Sequence, residues 1–445
     1  MAGQSPQWNA TSRVLRRMGF GATGRTIDAV SQLDLPQYVD SALGGDPNAD
    51  PGARRTPLPD LSYPASRPGN SATKEQRTAF NKRLTADREV LSSWWIRRML
   101  AVGQPVHEKL TLLWHNHFAT SVAKVRYASM MAAQNEALRA NNLGDFRLLA
   151  HTMLTDAAMV LWLDGQTNTA KAANENLARE FMELFALGHG NGYTEADVRA
   201  GARALTGWTI DKKGQATFTA RRHDASPKTL FGKTAPFNAA QFCDIVLSQP
   251  HSSRYIATRL WQQLASDAPP TAPTLERLVA AYGPERNLRA LTSAILTDPE
   301  FLNGGTKLIT TPTEWLVGAA RTLNVTVSDT GRRTPITHTA HLDAILKALG
   351  QQPFYPPSVG GWPAGRAWMS TSSAGIRFSA AEALAQAGDL STIEQAHPTD
   401  RIDAVGYLIG VGQWTDSSAA ALRPLISTPP RLVAAALNSP EYLTT

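Results

Sequence analysis

The sequence predicts an all-α protein, a large multi-helix globule with a short β-hairpin-like excursion near residues 209–237. Apolar residues recur at helical spacing through most of the chain, whereas runs that alternate between apolar and polar residues are few. Apolar residues make up 42% and charged residues 18% of the 445 residues, a composition typical of a packed globule. Four stretches rich in Pro, Gly and Ser separate segments that have a helical pattern.

The N-terminal part, predicted to span residues 1–100, is helical and basic. Its apolar spacing predicts helices near 26–43 and 75–101, and the Pro-rich stretch 45–73 predicts a loop between them. Residues 1–130 contain 17 Lys and Arg against 10 Asp and Glu, whereas the rest of the chain contains 27 of each. Because the excess charges are dispersed and form no recognisable nucleic-acid-binding module, we expect no nucleic-acid partner.

The central part, predicted at residues 101–237, carries most of the polar motifs. Two short β-prone runs, at 217–219 and 229–232, enclose a polar segment and predict the hairpin-like excursion. Helices are predicted near 106–117, 127–141, 145–158, 172–187 and 194–207.

The C-terminal part, predicted at residues 238–445, is helical with three further loops. Cys243 is the only cysteine and lies in an apolar helical pattern, so it is expected to be a buried thiol. A single cysteine excludes an intramolecular disulfide and a cysteine-ligated zinc site. Loops are predicted at 265–273, 325–337 and 352–373, and helices near 238–248, 252–266, 274–283, 287–297, 312–323, 339–349, 376–388, 400–411 and 430–438.

No targeting or membrane-spanning segment is predicted. No apolar run approaches the roughly 20 residues that span a bilayer. The pair Arg16-Arg17 superficially resembles a twin-arginine export signal, but no apolar stretch follows it. The sequence as given therefore predicts a cytoplasmic protein, with export as the alternative.

One face of the helix that begins after Asn174 is polar and acidic. At 100° per residue, four polar side chains share one side of this helix while the other side is apolar: Asn176, Arg179, Glu180 and Glu183. Two carboxylates three residues apart can converge on a cation, or can separate their pKa values so that one acts as an acid. The alternative is an ordinary amphipathic helix with a solvated Arg179–Glu183 pair. We favour a functional site because this face carries no lysine and its entry is rich in asparagine.

The motif Trp114-His115-Asn116-His117-Phe118 supplies two candidate metal ligands. On a helix, His115 and His117 diverge by about 200°, so both can bind one metal only if the helix ends near Asn116. One functional histidine beside one packed or capping histidine is the alternative.

A second polar cluster lies in the excursion, where His223 and Asp224 precede Lys228. A histidine next to a carboxylate, with a lysine nearby, suits proton transfer or the binding of an anion. An ordinary exposed loop would have the same composition.

An aromatic segment near residues 355–368 contains Gly361-Trp362-Pro363 and Trp368. Such a segment can form a stacking wall for a sugar, a peptide or an aromatic ligand. A rigid packed loop is the alternative. No phosphate-binding loop, dinucleotide fingerprint, nucleophile elbow or His-Glu-x-x-His motif is present.

Taken together, these motifs resemble the bacterial domain of unknown function 1800 family. The match covers nearly the whole chain and rests on eight segments: Phe20-Gly21, 114–118, 174–180, Glu183-Leu184-Phe185, 192–195, 204–208, His223-Asp224 with Lys228, and Pro356-Pro357 through Gly361-Trp362. The resemblance implies a signature without an assigned activity, and members are often exported and encoded beside a sulfatase-like partner. Its polar positions correspond here to His115, His117, Asn174, Glu175, Asn176, Arg179, Glu180, Glu183, Glu195 and His223.

Two functions remain open from the sequence. The first is an enzyme with a site between the central helices, where Glu180, Glu183 and His115 or His117 bind a divalent metal. In this hypothesis Arg179 binds an anionic group, and the loop that carries His223 and Lys228 folds over the site so that one of these residues completes it. The second is a non-catalytic scaffold or partner-binding protein, in which the same residues form a buried ion-pair network.

Overall fold

A computed structural model describes residues 3–64, 66–304, 306–329 and 335–444. It is 61% helical, which confirms the predicted all-α class. The first half of the described chain contains helices α1 Pro6–Met18, α2 Gly24–Ser31, α3 Leu35–Leu43, α4 Pro51–Arg55, α5 Lys74–Ala101, α6 Val106–His117, α7 Val122–Val125, α8 Ala128–Asn141, α9 Phe146–Leu154, α10 Ala157–Trp162, α11 Asn176–Glu180 and α12 Glu195–Ala204. The second half contains α13 Ala239–Leu247, α14 Pro250–Leu264, α15 Ala272–Tyr282, α16 Leu288–Thr297, α17 Pro299–Leu302, α18 Pro312–Thr322, α19 Thr339–Ala348, α20 Thr371–Ala387, α21 Ser391–Glu394, α22 Arg401–Ile409, α23 Asp416–Leu422, α24 Pro429–Ala436 and α25 Pro440–Leu443.

The N-terminal helices differ from the predicted ones. Helix α1 was not predicted, although Ser5 caps it by accepting from the Trp8 backbone at 3.1 Å. The helix predicted at 26–43 is two helices, because Asp34 caps α3 by accepting from the Gln37 backbone at 2.8 Å. Pro36 then cannot donate the backbone hydrogen bond that a continuous helix would need.

The excursion predicted at 209–237 consists of two separate hairpins. Strand β1 Trp208–Ile210 pairs antiparallel with β2 Ala216–Phe218. Strand β3 Lys228–Leu230 pairs antiparallel with β4 Lys233–Ala235. The two predicted β-prone runs therefore belong to different hairpins and do not pair with each other.

Helix α6 lies between two large hydrophobic cores. Leu110, Leu113 and Trp114 pack into one core, while Leu112 packs into the other. Both cores draw side chains from the N-terminal and the C-terminal halves of the chain, and the division predicted at residues 100 and 237 stays a prediction. Among the helices of the described ranges, none combines the length and the apolar character that crossing a bilayer requires.

Helix α6 also carries buried charges that the sequence patterns did not reveal. Glu108 accepts from Arg98 at 2.6 Å, from Arg139 at 2.7 and 2.8 Å, and from the Trp95 indole at 2.9 Å. These three charged side chains are almost fully buried. Burial alone would raise the pKa of Glu108, but the charges and hydrogen bonds of the two arginines outweigh it and lower that pKa.

Candidate functional site

The candidate site is built on a helix that changes type in its middle. Helix α11 ends at Glu180, and a π-helix continues directly from Phe181 to Ala186. In the π-helix, the Leu187 backbone N–H bonds the Met182 carbonyl five residues earlier, at 2.9 Å. Such segments are rare and are frequent at functional sites.

Two side chains from other helices stabilise the π-helix. The Tyr255 hydroxyl of α14 donates to the Leu184 carbonyl at 2.7 Å. His117 of α6 donates from Nε2 to the Phe185 carbonyl at 3.0 Å. These contacts satisfy carbonyl groups of the irregular turn and fix it against α6 and α14.

The asparagines at the helix entry shape the backbone. The Asn168 side chain accepts from the Asn174 backbone at 2.9 Å and donates to the Ala202 carbonyl at 2.8 Å. Asn174 in turn accepts from the Asn176 backbone at 3.0 Å. The predicted polar positions Asn174 and Asn176 therefore serve the helix start in this structure.

Glu180 and Glu183 lie together at the change from α-helix to π-helix. Glu183 accepts from His189 Nδ1 at 2.6 Å and from the Tyr193 hydroxyl at 3.4 Å, which orients its carboxylate. Glu180 is half-buried, and its side chain makes no hydrogen bond to another described residue. Burial raises the pKa of Glu180, the nearby Glu183 raises it further, and Arg179 opposes them.

Arg179 is not free to bind an anion, in contrast to its predicted role. Its guanidinium contacts both oxygens of Glu195, at 2.6 and 2.8 Å, and Glu175 at 2.9 Å. The hydrogen bonds with Glu195 contribute most to a raised pKa for Arg179. Glu175, Arg179 and Glu195 thus form a partly exposed network that ties α11 to α12.

The two predicted histidine ligands point into different aromatic surroundings. His115 packs against Trp95, Phe354 and Trp362, whereas His117 packs against Trp114 and Phe185, among other rings. Burial lowers the pKa of each histidine to about 3, so both rings are neutral.

The predicted divalent-metal site does not form from these side chains. Nowhere in the described ranges do three or more His, Cys, Asp or Glu side chains come together in a way that could hold a metal ion. His115 and His117 are separated because they lie on opposite sides of a continuous helix, which ends only at His117. The carboxylates of Glu180 and Glu183 remain as a pair without them.

The excursion residues are engaged in local structure. Lys228 is buried and donates to the carbonyls of Asp224 and Phe237, at 2.8 and 3.0 Å. His223 donates from Nδ1 to the Thr206 carbonyl at 3.0 Å, and Asp224 pairs with Arg203 at 2.6 Å. These bonds fasten the second hairpin to the end of α12, and none of them reaches Glu180 or Glu183.

Helix α14 contributes two residues that sequence reasoning missed. Tyr255 and Arg259 are four residues apart and so share one face of this helix. Arg259 makes no ion pair with any other described residue, and its buried Nε has no hydrogen-bond partner there. Burial raises the pKa of Tyr255. The charge of Arg259 lowers this pKa and the charge of Glu183 raises it, so Tyr255 lies close enough to interact electrostatically with both. The apolar spacing predicted this helix but gave no sign of a functional face.

Comparisons with known proteins identify the family of this chain. A family model described as "Protein of unknown function (DUF1800)" matches residues 13–444. No curated protein and no solved structure matches the chain.

Proposed function

The chain belongs to the DUF1800 family, and we propose that it is an enzyme in which Glu180 and Glu183 act as an acid–base pair. One observation carries this proposal. Glu180 is half-buried without a hydrogen-bond partner among the described residues, and its pKa is raised beside a second carboxylate. Paired carboxylates whose surroundings push their proton affinities apart are a common basis for acid–base catalysis.

The proposed chemistry is hydrolysis of a substrate that carries an anionic group. Glu183, oriented by His189 and Tyr193, accepts a proton from the attacking water, while Glu180 donates its proton to the leaving group. In this proposal the anionic group binds to Arg259, and not to Arg179 as the sequence predicted. Support for this assignment comes from Arg259 having no carboxylate partner among the described residues, whereas Arg179 has two.

The test is a panel of chromogenic substrates that differ in charge. It comprises p-nitrophenyl acetate, succinate, phosphate, glucoside and glucuronide, assayed with the wild type and three variants. We expect turnover of an anionic member, a loss of at least about 100-fold in Glu180→Gln, and a raised KM in Arg259→Gln. Arg254→Gln is the matched control, since Arg254 lies on the same helix but pairs with Glu276 at its surface.

Two outcomes would contradict the enzyme proposal. The first is no turnover of any anionic member above the background rate. The second is turnover that Glu180→Gln leaves unchanged, because the reaction would then not use the proposed acid.

A scaffold or partner-binding protein is the second candidate, favoured by the network of Arg179 with Glu175 and Glu195. A sulfatase-like protein, implied by the family resemblance, would then be the partner. The two candidates differ in stability: a residue that fixes helix packing destabilises the fold when it is replaced, whereas catalytic residues are often unfavourable for stability. Thermal unfolding distinguishes them. A decrease in Tm in Arg179→Gln that is larger than an exposed ion pair would give supports the scaffold, whereas an unchanged or higher Tm in Glu180→Gln supports the enzyme.

A further inference from the structure

A second polar site lies at the other end of α14, in a cavity enclosed by α6, α14, α18 and the segment 363–368. Its volume is about 60 Å³. Since a water molecule needs roughly 10–15 Å³ on the same measure, the cavity has room for about four to six water-sized groups. Its lining includes Asn116, Gln263, Asp267 and Trp368.

The aromatic segment approaches α6 closely at this cavity. The Trp362 backbone donates to the Asn116 side chain at 2.8 Å, and Asn116 donates to the Gln263 side chain at 3.2 Å. Gly361 has a φ of +86°, and a Cβ there would lie 2.3 Å from Asn116 Oδ1. Only glycine allows this approach, which brings the Trp362 backbone N–H to the side chain of Asn116, a residue of the cavity lining.

Two buried donors at the cavity have no acceptor within the described residues. Gln263 uses its side-chain oxygen for Asn116, and its buried Nε2 has no partner. Trp368 is 4% exposed, and its indole N–H also has no partner. A buried donor left unpaired costs about 1–3 kcal/mol, so a ligand whose acceptor oxygens draw either side chain toward the cavity would be favoured here.

The charges around the cavity balance. Lys109 and Glu314, both in the lining, pair with each other in a buried hydrogen-bonded ion pair. The positive charge of Arg17, which is not part of the lining, offsets the negative charge of Asp267. An anionic ligand would therefore find no cation free to pair with it. A neutral hydroxylated molecule, by contrast, can accept hydrogen bonds from Gln263 and Trp368 and donate one to Asp267.

We propose that this cavity binds a small neutral polyhydroxy compound no larger than glycerol. The indole of Trp368 supplies an apolar surface for the carbon skeleton, and the amide groups supply hydrogen bonds. This site is separate from the Glu180–Glu183 pair, so the proposal stands whether or not the chain is an enzyme.

The experiment is ligand-observed NMR with the full chain, using glycerol, ethylene glycol and sodium acetate as probes. Ala364→Phe places a bulky ring at the exposed rim of the cavity. Ala367→Phe is the matched control, because Ala367 is exposed in the same segment but does not line the cavity. Trp368→Phe removes the indole N–H, and circular dichroism checks that each variant folds.

We expect saturation transfer to glycerol or ethylene glycol, unchanged in Ala367→Phe and weakened at least tenfold in Ala364→Phe. Trp368→Phe should also weaken binding, and acetate should give no signal. The proposal is overturned if neither hydroxylated probe gives a signal, or if Ala364→Phe and Ala367→Phe bind them equally. Binding of acetate as strong as that of the polyols would overturn the neutral class. Ordered water alone, in crystals soaked with either probe, would also overturn it.

Discussion

The charges around Glu108 and those around Glu180 lie on helices that meet where His117 contacts Phe185, yet their surroundings are opposite. Glu108 is buried and fully paired with two arginines and an indole. Glu180 is half-buried and has no hydrogen-bond partner among the described residues. The first arrangement is what the scaffold hypothesis predicted for the signature residues, but it occurs on α6. Charges that are paired therefore hold helices together, whereas Glu180, which has no hydrogen-bond partner among the described residues, remains available to exchange a proton.

The largest effect is expected from Glu108→Gln. Removing this charge leaves Arg98 and Arg139 buried without their counter-charge, and such changes typically lower the free energy of unfolding by about 3–5 kcal/mol. Urea denaturation at pH 7 measures it. Glu136→Gln is the control, since Glu136 pairs with Arg139 from a position that is 39% exposed and should lose less than about 1 kcal/mol. Equal losses in the two variants would show that burial and pairing give Glu108 no special role in stability.

His115→Phe should reduce the sensitivity of the fold to acid. The folded pKa of His115 is lowered to about 3 by burial, so its contribution to stability is present above an unfolded pKa of about 6.5. That contribution is lost as the pH falls toward 3, and by pH 5 the loss is about 2 kcal/mol.

Urea unfolding at pH 7 and pH 5 checks this prediction. The decrease between the two pH values should be about 2 kcal/mol smaller in His115→Phe than in the wild type. His397→Phe, which replaces an exposed histidine, should leave the decrease as it is. An identical decrease in all three proteins would show that His115 is not buried as described.

Glu180→Gln should raise stability slightly at neutral pH. Because the folded pKa of Glu180 is raised, the stability it contributes is present below its unfolded pKa and is lost as the pH rises through the folded pKa. The variant removes this loss, so its advantage should grow from pH 4 to pH 7. Thermal unfolding across this pH range measures it, and an advantage that does not grow with pH would contradict the raised pKa.

The smallest effect is expected from Arg179→Gln. Its partners Glu175 and Glu195 are partly exposed, so solvent screens the network and the loss should stay below about 1 kcal/mol. Added salt should reduce the difference further, since screening weakens exposed pairs. A salt-independent loss above about 2 kcal/mol would mean that the network is buried in solution.

The sequence predicted the helical class, because this class depends on residue spacing along each helix. The same spacing predicts a shared face for Glu180 and Glu183, which stays a prediction. The sequence could not predict the π-helix, since the bonds that fix this turn come from His117 and Tyr255 on other helices. The sequence predicted that Arg179 binds an anion. It could not predict that Glu195 pairs with Arg179, because this pair depends on how α11 packs on α12. The sequence did not single out Arg259, because its lack of a carboxylate partner appears only in the folded chain.

The most direct test of the proposed acid–base pair is a carboxyl-carbon NMR titration of Glu180 in the wild type and in Glu183→Gln. We expect a pKa above the ordinary value of about 4.3 for a glutamate in the wild type, and a shift back toward that value in Glu183→Gln. A wild-type pKa at or below the ordinary value, or one that Glu183→Gln leaves unchanged, would contradict the pair.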